Sequence, residues 1–156
     1  APKSLLQPAY PKVCVSFENA DAFCAFRGGK LPTSDQFIAA ARGTSKRVFP
    51  WGDHWDPKLA NWAERDLLQT PVLGEIDGFG FTAPPGSLPD GCTKEGVCDL
   101  AGNVAEWVIG RDGKPAIQGG AWTDRPFDLR VTKQVSEIRA RTDVGFRCVY
   151  PADGSE

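Results

Sequence analysis

Apolar residues recur at helical spacing in two places, both early in the chain. Ser16 opens the first; Ala20, Phe23 and Cys24 put one apolar face inward, Phe26 continues it, and Gly28-Gly29 ends it. The second follows Pro32. Thr33 and Gln36 have capping-box spacing, Phe37, Ala40 and Ala41 form the expected buried stripe, and Gly43 closes the helix. Residues 104–109, 116–122 and 144–150 are short runs rich in β-branched or aromatic residues with glycine turns between them, and they predict strands.

From Phe49 to Gly102 neither period persists, and proline and glycine punctuate the chain throughout. A loop of this length inside a compact domain is either functional or held by cross-links and ions. The 17 glycines and 13 prolines argue against a helical bundle. With 156 residues, 41% of them hydrophobic, there is enough material for one domain with a real core. The organisation expected is an extended lead-in over residues 1–12, one domain over 13–151 and a tail over 152–156. Methionine is absent, position 1 included, which reads as a processed or excised chain.

Charge changes the picture locally. Eighteen bases against 20 acids leave a net charge of −2, which argues against a nucleic-acid partner held by a basic surface. No run approaches the apolar length of a membrane span. Residues 53–106, however, hold ten acids and three bases. Carboxylates at that density repel one another, so a folded loop of this kind wants cations.

The five cysteines, Cys14, Cys24, Cys92, Cys98 and Cys148, form no CxxC pair. Their spacing suits disulfides, and hence an extracytoplasmic protein (secreted, periplasmic or at the cell surface); the alternative is a cytosolic protein with small buried thiols. Five is odd, so one thiol is free or has its partner outside the chain. Cys92 and Cys98 are six apart and flank Gly96, which fits a local bridge. One histidine, His54, cannot build a three-histidine zinc site or a two-histidine iron site. No serine sits in a G-x-S-x-G elbow, and no G-x-x-x-x-G-K-[ST] loop is present, so neither hydrolase nor ATP chemistry is supported. Trp51, Trp107 and Trp122 read as core residues, whereas Trp55 and Trp62 read as candidates for a ligand-facing surface.

Seven strings occur in order: VCVSFENADAFC (13–24), GGKLPTSDQFIAAAR (28–42), FPWG (49–52), ANW (60–62), DLAGNVAEW (99–107), GGAW (119–122) and GFRC (145–148). Together they resemble the formylglycine-generating enzyme, or sulfatase-modifying factor, family. The resemblance implies an α+β, irregular, loop-rich fold of C-type lectin type, with two helices, short antiparallel strands and calcium-stabilised loops. Family domains begin with a further strand-rich segment before residue 13, so either a separate N-terminal segment or chain completes this one, which the odd cysteine favours through Cys14, or this is a shortened version of the domain. The resemblance also implies a Cys24–Cys148 bridge, which by chain entropy contributes on the order of 4 kcal/mol. Among the eight bases of residues 111–147, Arg147 of the GFRC string is expected inside, paired with an acid.

Two calcium sites follow from the same resemblance. One takes Asn61, Asp77 and the carbonyls of Trp62 and Phe79. The other takes Asp99, Glu106 and the carbonyls of Gly102 and Val104. Hard oxygen donors of this mixture suit calcium; the alternative for each cluster is an Asx-type turn with exposed acids. Formylglycine formation in the family uses two cysteines that hold Cu(I), a soft ion that prefers thiolates. Counting from GGAW, their places are taken by Asp124 and Leu129. The other branch of the superfamily holds iron through three histidines, and one histidine excludes that.

The expected function is a non-catalytic, calcium-stabilised module without copper. It recognises a protein, peptide or glycan through the surface of residues 122–142, with Trp122, Asp124, Arg125 and Arg130 as ligand-binding residues. The alternative is one component of an oxygen-dependent oxidoreductase whose reaction centre is completed elsewhere.

Overall fold

A computed structural model describes residues 7–65 and 68–152. Residues 1–6 of the lead-in, 153–156 of the tail, and Asp66 of the acidic stretch lie outside the described residues. Two helices come first, α1 (Phe17–Phe26) and α2 (Ser34–Arg42). Four short strands follow after a long irregular segment: β1 (Ala105–Ile109), β2 (Pro115–Gln118), β3 (Gln134–Ser136) and β4 (Val144–Gly145).

Both helices start where side-chain chemistry starts them. The Ser16 hydroxyl accepts from the Asn19 N–H at 3.2 Å. Thr33 and Gln36 complete a reciprocal capping box, at 3.1 and 2.9 Å. The buried faces differ from the expected ones. In α1 only Ala20 and Cys24 are buried, while Phe23 is 49% and Phe26 86% exposed. The stripe that meets the core is the i, i+4 row through positions 20 and 24; position 26 lies on the opposite flank. In α2 the buried set is Ser34, Phe37, Ile38 and Ala41, and Ala40 is exposed. That set follows i, i+3, i+4, i+7, one residue round from the expected stripe.

The sheet order is β3-β2-β1-β4. β1–β2 and β2–β3 are antiparallel, with Trp107 opposite Ile117 and Val135 opposite Ile117 on its other side. β4 runs parallel to β1, pairing Ala105 with Val144. The sheet is therefore mixed, not purely antiparallel. The chain leaves β3 at one edge and must cross the hairpin to reach the far side of β1, so it arrives in the direction of β1. The strands are also shorter than expected. β2 stops at Gln118 because Gly119 and Gly120 take φ of +92° and +68°. A side chain at Gly120 would meet Leu129 Cδ1 at 2.8 Å and the Asp128 carbonyl at 2.9 Å. β3 lies outside the three predicted strands.

Trp107 is fully buried between α1 and the sheet, donating from Nε1 to the Val15 carbonyl at 2.8 Å. Phe17 meets it edge-on at 5.8 Å. The Cys24–Cys148 disulfide ties α1 to the chain end across 124 residues, and Cys92–Cys98 closes a local loop. Cys14 is free and exposed. The irregular segment has its own core of Phe49, Ala60, Trp62, Ala101 and Leu129, against which Trp51 and Trp55 pack. Trp62 is only 9% exposed and meets Trp55 edge-on at 5.2 Å. Trp55 and Trp62 thus serve chiefly as packing, because four aromatic rings supply what regular structure does not.

Candidate functional site

The loop from residue 61 to 81 folds around its own acids. The buried Glu64 carboxylate accepts three successive N–H groups, from Glu75 (2.8 Å), Ile76 (3.1 Å) and Asp77 (2.5 Å). Asp77 in turn accepts from the N–H of Trp62 at 3.1 Å and of Phe79 at 2.7 Å. Burial pushes the Asp77 carboxyl up to about 6, against those two N–H groups and with help from the neighbouring Glu64. Asn61 donates to the Phe81 carbonyl at 2.6 Å and to Asn103 Oδ1 at 3.3 Å. Its own Oδ1 is buried without a hydrogen-bond partner. Asn61, Trp62, Asp77 and Phe79 are therefore brought together. Glu64 belongs with them and was missed; as a lone acid in an acidic loop it carries no signal of its own.

The second cluster lies where β1 begins. Asn103 pairs with the backbone of Ala83 through both ends of its amide, at 2.8 and 3.0 Å. Its N–H donates to the Asn61 carbonyl at 2.9 Å, so the two clusters are joined. Gly102 is required there, since any Cβ would overlap that carbonyl. Asp99 accepts from the Gly86 N–H at 2.7 Å. Glu106 is buried and held by Arg147 through both oxygens, at 2.6 and 2.7 Å. Asp99, Val104, Glu106 and Arg147 line one open pocket. Burial raises both carboxyls, and Arg147 opposes the rise in each. Two carboxylates thus face one guanidinium.

The four expected ligand-binding residues do not share a site. Asp124 lines a cavity of about 150 Å³ with Gln118, Asp128, Lys133, Val135 and Arg141. Its carboxylate accepts from the Ala121 N–H at 2.9 Å; burial raises it against that bond, and Asp143 and Asp128 add to the rise. Trp122 faces a different cleft beside Trp62, edge-on to Phe81 at 5.2 Å, with its indole N–H buried and unpartnered. Arg125 donates to Gln69 at 3.0 Å, and the Arg130 guanidinium lies 3.7 Å over the Phe127 ring. Leu129 is fully buried under Gly120.

Beside that cavity is a network that sequence reasoning missed. Arg141 donates to Asp143 at 2.7 and 2.8 Å and to Glu137 at 3.1 Å, and the Thr123 hydroxyl donates to Asp143 at 2.5 Å. The alternation Arg139, Arg141, Asp143 in the sequence was the available signal.

Comparison with known proteins gives this geometry a family. Residues 3–152 match the family described as Sulfatase-modifying factor enzyme 1-like domain. A Mus musculus protein named Inactive C-alpha-formylglycine-generating enzyme 2 is 33% identical over 91% of this chain and 49% of its own length. The Formylglycine-generating enzyme of Bos taurus is 36% identical over 67% of this chain and 28% of its own. The chain thus spans half or less of the length of these relatives. The structure of PvdO from Pseudomonas aeruginosa has the same fold, with a TM-score of 0.65 at 24% identity over 90% of this chain and 61% of that one. With two helices, a small mixed sheet, long acid-lined loops and two disulfides, this chain belongs to the sulfatase-modifying factor enzyme 1-like family.

Proposed function

We propose that the chain is a non-catalytic module of formylglycine-generating-enzyme type, ordered by calcium, that binds a protein, peptide or glycan through the surface of residues 122–142. The observation that carries this is the chemistry at Asp124 and Leu129. Leu129 offers only hydrocarbon and is fully buried, and Asp124 offers a hard oxygen already held by the Ala121 N–H. Cuprous ion needs soft donors. Four cysteines are in disulfides and the fifth, Cys14, lies in the segment before α1. The residues here do not fit copper. The name of the mouse relative supports the same reading.

Calcium does fit. Asn61 Oδ1 is buried without a hydrogen-bond partner, and the same loop holds the carboxylates of Asp77 and Glu64, which accept backbone N–H groups. A buried polar atom left so costs about 1–3 kcal/mol. Asn61, Asp77 and the carbonyls of Trp62 and Phe79 would hold one ion. Asp99, Glu106 and the carbonyls of Gly102 and Val104 would hold the second, where two acids exceed one guanidinium. Bound calcium would supply charge neutralisation for the loops. Two disulfides support an extracytoplasmic setting; no helix among the described residues is long and apolar enough to cross a membrane.

The test is turnover. The purified chain is loaded with Cu(I) and given oxygen and a peptide containing Cys-x-Pro-x-Arg, and the peptide is read by mass spectrometry. No formylglycine above the protein-free background is expected. Conversion above it would overturn the non-catalytic reading and favour an oxidoreductase component.

A further inference from the structure

α1 carries two apolar stripes, and only one of them is covered. Ala20 and Cys24 meet the core. Ala22, Phe23, Ala25 and Phe26 face outward, with Phe26 86% exposed. The outer stripe continues past the helix. Phe23 meets Phe146 edge-on at 5.6 Å, and the half-exposed Tyr150 lies so close over Gly29 that a Cβ there would come within 2.9 Å of the ring. Contiguous exposed apolar surface of this kind marks an interaction site.

The charge around these rings has one sign. The chain has 20 acids, yet residues 22–34 and 144–151, which build this face, contain none. Their three bases are Arg27, Lys30 and Arg147. Arg147 is turned inward onto Glu106. Arg27 and Lys30 are exposed and form no ion pair among the described residues. Of the flanking acids, Asp21 is two positions from Phe23 and five from Phe26, which puts it on the opposite flank of α1. Asp35 faces Arg111 at 3.4 Å, and Asp153 lies outside the described residues.

Beside the rings is an open groove of about 440 Å³, lined by Lys30, Gln36 and Tyr150 among others, with Lys30 its one charged residue. Gln36 Oε1 is taken by the Thr33 N–H at 2.9 Å, so the amide nitrogen is the end of that side chain left to donate. An ammonium, an amide and a phenol together suit an anionic oxygen.

We infer that this face attaches the molecule peripherally to an anionic lipid surface. Phe23 and Phe26 enter the boundary between headgroups and acyl chains. Tyr150 stays at headgroup level, Arg27 and Lys30 meet lipid phosphates, and the groove takes one headgroup. The rings stand out from the surface and line no cleft, and a bilayer accepts protruding rings without needing a complementary shape.

The experiment sediments the full chain with vesicles of mixed phosphatidylcholine and phosphatidylglycerol and reads the bound fraction against lipid concentration. Saturable binding that weakens with added salt is expected, with much weaker binding to phosphatidylcholine alone. Phe26→Ser is expected to weaken binding about tenfold, and Arg27→Glu with Lys30→Glu more than tenfold. Leu73→Ser, which removes an exposed apolar side chain elsewhere, is expected to bind as the parent does. These positions are exposed, so unchanged melting curves are expected to accompany the losses. No binding to the mixed vesicles, equal binding to phosphatidylcholine alone, or undiminished binding of Phe26→Ser overturns the inference. So does a lipid-free dimer that Phe26→Ser abolishes, if vesicles are not bound, because the face would then belong to a second copy. The residues tested lie outside 122–142, so either result leaves the turnover test of the non-catalytic reading as it stands.

Discussion

Arg147 grips Glu106 by both carboxylate oxygens, Nε to Oε2 at 2.6 Å and Nη2 to Oε1 at 2.7 Å, across 41 residues of sequence. Glu106 is 4% exposed on β1. Burial pushes its carboxyl up, the guanidinium works against that rise, and Asp99 adds to it. The same guanidinium donates to the Cys98 carbonyl at 2.9 Å. The Cys92–Cys98 loop, β1 and the C-terminal segment therefore meet at one side chain.

Arg147→Met leaves the Glu106 carboxylate buried and unpaired, and is expected to cost about 3–5 kcal/mol in urea unfolding. Adding Glu106→Gln removes the stranded charge and is expected to recover a large part of that loss. A double variant no more stable than Arg147→Met would show that the pair is not coupled in this way.

The two disulfides are expected to differ in value. Cys24–Cys148 spans 124 residues and Cys92–Cys98 spans six. Chain entropy gives about 4–5 kcal/mol for the long loop and about 2 kcal/mol for the short one. Cys24→Ala with Cys148→Ala should therefore lower the melting temperature more than Cys92→Ala with Cys98→Ala. The reverse order would place the stabilisation in native-state contacts of the 92–98 loop.

The sequence carried what is written in local chemistry. Ser16 and Thr33 named both helix starts because a cap needs only three following residues to act. It misplaced Phe23, Phe26 and Ala40, since periodicity reports that a face exists but not its rotation about the axis. β3 escaped because Gln134–Ser136 has no apolar alternation long enough to register; it is a strand only through its pairing with β2. Leu129 and Arg141 show the same limit from the side of the site. Counting from GGAW located Leu129, but its burial beneath Gly120 is a fact of packing. Arg141 joins Glu137 to Asp143, and the alternation Arg139, Arg141, Asp143 signals charge at that spacing without saying which acids the guanidinium bonds.

Removing calcium is expected to lower the melting temperature. At a free ion concentration 100 times the dissociation constant, each site adds about 2.7 kcal/mol by mass action. Asp77→Ala should abolish the part of the shift due to the loop of residues 61–81 and leave the part due to Asp99 and Glu106. Asp99→Ala should do the converse. A chelator that moves the melting curve of the unaltered chain by nothing measurable speaks against both sites.

Acid should unfold the chain partly through the Glu137 network. The N–H groups of Arg139 and Ile138, with the Arg141 side chain, hold the Glu137 carboxyl down from 4.5 to about 2. Burial pushes Asp143 up, but hydrogen bonds from Arg141 and Thr123 outweigh it and leave that carboxyl low as well. A carboxyl lower in the folded than in the unfolded chain contributes stability that is complete above the unfolded value. That contribution is lost as pH falls towards the folded value. For Glu137 the window runs from near 4.5 down to about 2. Glu137→Gln keeps the shape of the side chain but cannot ionise. It is expected to be less stable than the parent at pH 7 and to close that gap as the pH is lowered through the window, as read by melting temperature at each pH. A gap that stays constant between pH 7 and pH 2.5 would mean that Glu137 acts by packing and not by its charge.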